Sequence, residues 1–387
     1  MSSSTTISFS HFTLITTLLL LLLLLPLSSA TSTTGHRPFT KVFVFGDSYT
    51  DTGNTNDSTA PLIFRQISSL PYGRSFFHHP TNRYSDGRLV IDFIAESLNL
   101  PYFPPYLNPS SDTTHGVNFA VGGCTAIPFS FFVKHNSTLD TIPQSLTTQL
   151  AWFKLYVKKS GCKSKVSTPK QCKALFNNAL VWIGQIGAND YTYISGTKAT
   201  SKTVQKLAIT YQTNLIKELL SMGAKYVVVQ GLPATGCFPL AFSLGLPPTD
   251  RDEIGCVGSK NKESYEHNVV LQQKIDDLRR EFPEAVIVYG DDWSVYKEVY
   301  GNPAKYGFVE RFKACCGIGG GEHNFNPMST CGAPGTSSCK HPSRYTNWDG
   351  LHTTQGLNWV VSRLFLNGGF ANPPFSHLLK KAAESRE

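Results

Sequence analysis

Short apolar runs alternate along this chain with longer stretches in which apolar residues recur at helical spacing. Because buried parallel strands are continuously apolar and the helices that cover them are amphipathic, this alternation predicts strands joined by crossover helices. The expected fold is a doubly wound α/β sheet, whose ligands bind beyond the carboxyl ends of the strands. The predicted strands are 41–45, 116–120, 178–183, 226–230 and 285–289, and the predicted helices include 88–98, 203–222 and 262–281.

The amino-terminal segment reads as a signal peptide spanning residues 1–30. It contains no Lys, Arg, Asp or Glu, includes eight consecutive leucines and ends in small residues suited to cleavage, Ser28 and Ala30. The apolar run is short for a spanning helix, although a retained anchor is the alternative. Two acceptor sequons, at Asn56 and Asn136, fit the secretory route. We expect a secreted, glycosylated protein of the cell wall, with no membrane insertion.

The nine cysteines are interpreted through that compartment, since thiols of secreted proteins usually pair. Cys162 with Cys172, and Cys237 with Cys256, bracket short loops and are predicted as local disulfides. Nine is odd, and Cys124 is the candidate for the free thiol because it stands apart in an apolar stretch. The other four could form a zinc site, but they lack a C-x-x-C pair and the compartment favours disulfides. These four are Cys315, Cys316, Cys331 and Cys339.

Composition narrows the class of protein further. The formal net charge is +8, but basic residues occur as scattered pairs and not as a run, so a nucleic-acid-binding arm is not expected. We find no linker, low-complexity segment or internal repeat after the leader, which predicts one domain over 31–387. The Gly/Pro-rich stretch 317–342 is predicted as a disulfide-pinned loop near the site.

Three polar clusters directly follow predicted strands. Ser48 follows the first strand, where its hydroxyl and backbone N–H would lie at the sheet edge. Gly122-Gly123 follows the second, where glycine lets a backbone N–H approach a reacting oxygen, and Asn189 follows the third with an amide donor. Each has an ordinary structural reading: Ser48 as a helix N-cap, the glycines as a bend and Asn189 as a turn residue.

A fourth cluster, near the carboxyl terminus, places Asp349 three residues before His352. At this spacing a carboxylate can accept the proton of one imidazole nitrogen and direct the other outward, which is what a serine needs to lose its proton. An Asp-x-x-His sequence alone is common and usually structural. The conjunction of all four clusters, in one order across one sheet, favours the catalytic interpretation.

The sequence resembles the GDSL esterase/lipase family of the SGNH hydrolase superfamily, and in particular its secreted plant branch. The resemblance runs from the Gly46-Asp47-Ser48 motif to the Asp349–His352 motif and includes connecting stretches such as 82–88, 116–120 and 313–317. It implies a flavodoxin-like three-layer α/β/α fold around a five-stranded parallel sheet, with no metal or organic cofactor. It also implies a nucleophile, a base and its orienting acid, and an oxyanion hole: Ser48, His352 and Asp349, and the N–H groups of Ser48 and Gly123 with the Asn189 side chain.

Three positions depart from the family pattern. Tyr49 stands where the naming Leu would be, a variable position whose side chain the chemistry does not need. Cys124 follows Gly123 where the plant branch often has Ala, which would alter the oxyanion loop. Gln355 replaces a frequent Glu and removes a negative charge near the site. None of these positions belongs to the triad, so we expect a competent enzyme.

The function expected from these residues is hydrolysis of carboxylic esters through an acyl-enzyme on Ser48. One alternative is an acyltransferase that passes the acyl group to an alcohol, because the triad does not distinguish the two. The other is a binding protein on a hydrolase fold, against which the complete set of site residues argues. The substrate, a small-molecule or cell-wall ester, stays open between acetylated sugars, phenolic esters and lipids. We expect a monomer.

Overall fold

The computed structural model describes residues 37–137, 139, 141–160 and 174–385. Three sequence predictions lie outside these residues: the signal peptide at 1–30, the disulfide between Cys162 and Cys172, and the part of the second sequon contributed by Thr138. From Arg37 onward the chain forms one compact unit.

The centre of this unit is a sheet in which five strands run parallel. The strands of the protein are β1 (Lys41–Phe45), β2 (Gly116–Asn118), β3 (Ala179–Ile183), β4 (Tyr226–Gln230), β5 (Val286–Gly290), β6 (Glu310–Ala314), β7 (Cys316–Gly317), β8 (Ser337–Ser338), β9 (Tyr345–Asn347) and β10 (Ala371–Asn372). The central sheet has the order β10-β5-β4-β3-β1-β2. Chain order reverses beside β1, so that β1 lies between β2 and β3.

The five predicted parallel strands are confirmed, and the sheet also has a sixth strand that the sequence did not predict. Strand β10 pairs antiparallel with β5, through Ala371 with Gly290 and Asn372 with Tyr289. It is two residues long, too short for apolar alternation to indicate a strand. Strand β2 is shorter than predicted, but the N–H groups of Phe119 and Val121 continue the pairing along β1.

Helices cover both faces of the sheet and make it the middle of three layers. Successive strand residues point to opposite faces, so Phe43 and Val181 pack into one core while Val44 and Trp182 pack into the other. The helices are α1 (Val90–Ser97), α2 (Phe129–Lys134), α3 (Leu146–Lys159), α4 (Ala188–Tyr193), α5 (Ser201–Ser221), α6 (Pro239–Phe242), α7 (Gly258–Glu281), α8 (Asp292–Gly301), α9 (Gln355–Asn367) and α10 (Phe375–Glu384). Among the described residues, no helix is long and apolar enough to cross a membrane.

The first helix begins later than predicted, because its cap is not the one the sequence suggested. The sequence predicts this helix from residue 88, with Ser85-Asp86 before it as the cap, but α1 begins at Val90 and the Asp92 carboxylate accepts the Leu89 N–H at 2.8 Å. The same carboxylate forms a buried ion pair with Arg83. Asp86 instead accepts the Gln355 N–H at 2.7 Å and so anchors the start of α9.

Three disulfides lie in the described part of the chain. The predicted Cys237–Cys256 bond is confirmed, and Cys124 is a free, buried thiol as predicted. The four cysteines whose pairing the sequence left open form two disulfides, Cys315–Cys339 and Cys316–Cys331. They enclose the Gly/Pro-rich stretch and bring it beside β9, where the Cys316 N–H donates to the Trp348 carbonyl at 2.6 Å.

Candidate active site

The turn that follows β1 presents Ser48. Gly46 has φ +146°, and a side chain there would press against Thr50, so this tight turn requires glycine. Asp47 then caps a single turn of backbone: its carboxylate accepts the Tyr49 N–H at 3.1 Å, and its carbonyl accepts the N–H groups of Thr50 and Asp51. Asp47 therefore fills the capping role that was the structural alternative for Ser48, and the Ser48 hydroxyl is left to other partners.

The loop between β9 and α9 carries Asp349 and His352. One Asp349 oxygen, Oδ1, accepts the N–H groups of Leu351 and His352, at 3.1 and 2.8 Å. The loop closes on itself because the Trp348 N–H donates to the His352 carbonyl at 2.7 Å. Gly350, at φ +104°, lies so close to a neighbouring phenylalanine ring that no side chain fits there. Backbone contacts thus fix the carboxylate and the imidazole relative to each other.

Two hydrogen bonds join the three predicted triad residues into one chain. The His352 Nδ1–H donates to Asp349 Oδ2 at 2.8 Å, and the Ser48 hydroxyl donates to His352 Nε2 at 2.8 Å. Ser48, His352 and Asp349 are 4%, 1% and 0% exposed. Residues 304 positions apart in sequence therefore meet at the carboxyl edge of the sheet. This arrangement can move a proton from the serine hydroxyl to the imidazole.

The surroundings of His352 are apolar, while those of Asp349 stabilise charge. The rings of Phe64 and Tyr84 lie 4.7 and 4.6 Å from the imidazole, centroid to centroid. Burial opposes ionisation of Asp349, but the charge and hydrogen bonds of His352, together with the backbone N–H groups, outweigh it and hold the pKa of this carboxyl below its ordinary value. Tyr72 adds a hydrogen bond to Oδ2 at 2.9 Å. The carboxylate is therefore ionised beside the imidazole at neutral pH.

The loop after β2 brings Gly123 and Asn189 together. Gly123 has φ +80°, and a Cβ there would lie 2.6 Å from Pro61, so only glycine fits. The Asn189 side chain donates one amide hydrogen to the carbonyl of Cys124, the next residue, at 2.9 Å. Its second amide hydrogen is available for another acceptor. Among the described residues, no acceptor is found for the backbone N–H groups of Ser48 and Gly123.

Two buried carboxylates, which sequence reasoning did not single out, hold these loops in place. Asp51 accepts the Gly122 N–H at 2.9 Å and also the N–H groups of its own turn, so it links the turn after β1 to the loop after β2. Asp190 accepts the N–H groups of Ala126 and Ile127, both at 2.9 Å. Asp51 lies three residues after Ser48 and Asp190 directly after Asn189, and this proximity was the available signal.

The structure gives two of the departures from the family pattern a local role. The Cys124 thiol accepts a hydrogen bond from the Gln149 side-chain amide at 3.1 Å. The same amide group forms two further hydrogen bonds, with the N–H and the carbonyl of Gly46. The Gln355 side-chain oxygen accepts the Arg88 N–H at 2.9 Å. Cys124 thus belongs to the contact between the loop after β2 and the turn after β1, whereas Gln355 lies at the start of α9, three residues after His352.

Burial raises the pKa of Asp47 to about 8, with Asp190 and Asp51 contributing, and raises that of Asp190 to about 7. An acid whose pKa is higher in the folded state stabilises the fold fully below its unfolded pKa and loses that contribution as pH rises towards its folded pKa. We therefore expect the free energy of unfolding to fall as the pH rises from 5 to 8, by about 1.4 kcal/mol for each pH unit over which one of these carboxyls is protonated in the folded state only.

The Asp47→Asn variant tests this expectation, because the amide keeps a capping oxygen but cannot ionise. Its unfolding free energy, measured by urea titration at several pH values, should depend less on pH than that of the wild type. Asp112→Asn, which changes an exposed carboxylate, should keep the wild-type dependence. A wild-type slope in Asp47→Asn would show that Asp47 is already ionised throughout this range.

Both sequon asparagines are at the surface. Asn56 is exposed in the loop that follows the turn 46–54, and Asn136 is exposed after α2 with φ +56°. The Phe129–Phe132 segment packs into the core through Phe132.

Comparison with known proteins defines the class of this protein and then its family. The model of the GDSL-like lipase/acylhydrolase family matches residues 42–364. A GDSL esterase/lipase of Arabidopsis thaliana is 50% identical over 92% of both chains. A second from that plant is 37% identical over 90% of this chain and 89% of its own. Acetylajmalan esterase 1 of Rauvolfia serpentina is 38% identical over 82% of this chain and 83% of its own.

The protein is therefore a carboxylic ester hydrolase with the three-layer fold described above. The chain belongs to the GDSL-like lipase/acylhydrolase family.

Proposed function

We propose that this protein is a secreted serine esterase that hydrolyses carboxylic esters through an acyl-enzyme on Ser48. The observation that carries the proposal is the buried hydrogen-bonded chain from Ser48 through His352 to Asp349, with both bonds at 2.8 Å. A serine hydroxyl is a weak nucleophile until a neighbouring base accepts its proton, and this chain supplies that base in a fixed orientation.

In the first step, Ser48 Oγ attacks the ester carbonyl carbon and its proton passes to His352 Nε2. The imidazolium is stabilised by Asp349, whose Oδ2 faces Nδ1 at 2.8 Å. The alcohol then leaves with the proton from Nε2, and the acyl group stays on Oγ. Water repeats the sequence: it gives a proton to His352, attacks the acyl carbon and releases the acid, and the proton returns to Ser48.

Three donors are proposed to hold the oxyanion: the N–H groups of Ser48 and Gly123 and the side-chain amide of Asn189. Replacing Asn189 with alanine should lower kcat by about 10²- to 10³-fold, because the donor acts on charge that develops in the transition state. KM should change little. Steady-state kinetics measure both values, and thermal unfolding checks that the loss of the Cys124 contact has not unfolded the variant. A wild-type kcat would remove Asn189 from this role.

Short acyl esters are the substrates we propose. Ser48 is almost completely buried, and a Cβ placed on Gly123 would lie 2.6 Å from Pro61 and 3.1 Å from Tyr193, so there is little room beside these two residues. Acetylajmalan esterase 1, 38% identical to this chain, has an acetyl ester in its name. We therefore expect faster release from p-nitrophenyl acetate than from p-nitrophenyl octanoate, and the reverse preference would contradict the proposal for substrate class.

Secretion to the cell wall is the proposed location, and the protein is proposed to act there as a monomer. Three disulfides in the described residues and the exposed Asn56 and Asn136 support passage through an oxidising, glycosylating compartment. The leucine-rich leader of the sequence supports the same route.

The test of the reaction follows acyl release from p-nitrophenyl acetate with and without glucose as a competing acceptor. We expect free acetate in both conditions, and release at least about 10⁴-fold slower from a Ser48→Ala preparation. Acetylated glucose as the main product would instead establish the acyltransferase. Absence of Ser48-dependent release, together with no labelling of Ser48 by a fluorophosphonate probe, would leave the mechanism without support.

A further inference from the structure

Tyr49, the residue after Ser48, connects two segments. One is the turn 46–54, the nucleophile turn, which carries Ser48, and the other is the loop 347–353, the base loop, which carries His352. Its phenol donates a hydrogen bond to the Leu351 carbonyl at 2.6 Å, across 302 positions of sequence. Its ring lies 5.6 Å from the His352 ring, centroid to centroid, and 6.2 Å from that of Phe238. The side chain is therefore part of the support of the base.

The Leu351 carbonyl is well placed to control the imidazole. It belongs to the peptide unit that Leu351 shares with His352, and the N–H of that unit donates to Asp349 Oδ1 at 2.8 Å. Tyr49 thus holds one end of this peptide unit while Asp349 holds the other. At its own end, Tyr49 is fixed because its N–H donates to the Asp47 carboxylate at 3.1 Å.

The hydrogen bond from Tyr49 to Leu351 is important because few hydrogen bonds connect the nucleophile turn to the base loop. Among the described residues, two hydrogen bonds join the turn 46–54 to the loop 347–353: Ser48 to His352 and Tyr49 to Leu351. In the acyl-enzyme, Ser48 Oγ is esterified and has no proton to donate. The Tyr49 bond is then the one that continues to hold the base loop against the nucleophile turn.

We propose that Tyr49 is a positioning residue that keeps His352 in place during deacylation, when the Ser48 hydroxyl no longer does so. In that step a water O–H bond breaks, its proton passes to His352 Nε2 and the water oxygen bonds to the acyl carbon. The carbon–Oγ bond then breaks, and the proton passes from His352 to Ser48. This inference rests on the proposed acyl-enzyme mechanism. It gives a role to the Tyr49 side chain, which the family resemblance implied is not needed for the chemistry.

The test is Tyr49→Phe, which removes the hydroxyl and keeps the ring. With p-nitrophenyl acetate, we expect the initial burst of p-nitrophenol to keep its amplitude and the steady-state kcat to fall about 10-fold, the effect of losing one hydrogen bond from the slow step. KM should fall in parallel, so that kcat/KM, which reports acylation, changes by less than about 2-fold. Tyr49→Leu lacks the same hydroxyl and should show the same split.

Tyr226→Phe is the control, because its phenol also bonds a carbonyl, that of Lys381 at 3.0 Å, as well as the Ser385 hydroxyl, and lies at the amino end of β4, whereas the triad lies at the carboxyl edge of the sheet. Tyr226→Phe should lose about as much thermal stability as Tyr49→Phe and should keep the wild-type kcat. A wild-type kcat in Tyr49→Phe, or an equal fall in kcat and kcat/KM, would overturn the inference. Turnover by Ser48→Ala above about one hundredth of the wild-type rate would instead contradict the acyl-enzyme mechanism itself, so the two failures are distinguishable.

Discussion

Replacing Ser48 with alanine is expected to lower kcat by about 10⁴- to 10⁶-fold, because the variant has no atom that can form the acyl-enzyme. The backbone N–H groups and Asn189 are unchanged, so a small residual rate above the uncatalysed reaction should remain. KM should stay within a few-fold of the wild-type value. Stopped-flow measurement with p-nitrophenyl acetate should also show that the initial burst disappears.

Ser362→Ala is a suitable control for this experiment. Ser362 is as fully buried as Ser48, and its hydroxyl donates to the Trp359 carbonyl within α9 at 2.7 Å, without contacting the triad. It should keep the wild-type rate. If Ser48→Ala retained more than about one hundredth of the activity, a different nucleophile would have to be found.

Replacing Asp349 with asparagine is expected to lower kcat on the order of 10⁴-fold. The carboxylate accepts four hydrogen bonds, two at each oxygen, from the backbone of Leu351 and His352, the His352 ring and the Tyr72 hydroxyl. An amide has one acceptor oxygen, so its NH₂ group must face two donors on one side. The imidazole would turn or change tautomer, and Nε2 could then no longer accept the proton of Ser48.

The pH dependence of Asp349→Asn distinguishes loss of orientation from loss of folding. Because hydroxide can replace the general base in part, we expect its rate to keep rising at alkaline pH where the wild type has reached a plateau. Asp292→Asn offers a control at another buried carboxylate, one that accepts from Gln230 and does not contact the triad. A similar loss in both variants would point to a general cost of removing buried carboxylates.

The sequence predicted the centre of the fold well because the parallel strands are buried on both faces. Largely apolar runs such as 41–45 and 226–230 are stable as strands only where helices cover both faces of the sheet. Such runs are easy to locate in the sequence, and the structure confirms the positions of these two strands. Strand β10 was missed because two residues carry no periodicity. The predicted start of α1 was wrong because the side chain that caps the helix, Asp92, lies inside it. The buried ion pair with Arg83 holds Asp92 in that position.

The site was predictable where its residues share a short motif and unpredictable where they meet only through folding. Ser48 lies in one motif and Asp349 and His352 in another, so the triad could be predicted from the two motifs together with the family resemblance. Tyr72, by contrast, reaches Asp349 across 277 positions from an irregular segment. Tyr49 is in the nucleophile motif, but its partner carbonyl is a backbone atom, which no residue pattern can indicate.

The two disulfides beside β9 have a consequence for when this enzyme becomes active. The Cys315 and Cys316 N–H groups donate to the carbonyls of Asn347 and Trp348, immediately before Asp349, and each cysteine is cross-linked to a later residue of the same loop. The support of the acid and the base is therefore completed by oxidation. We therefore expect a chain that still carries free thiols to hold the loop of Asp349 and His352 less firmly, and to cleave esters more slowly than the oxidised protein.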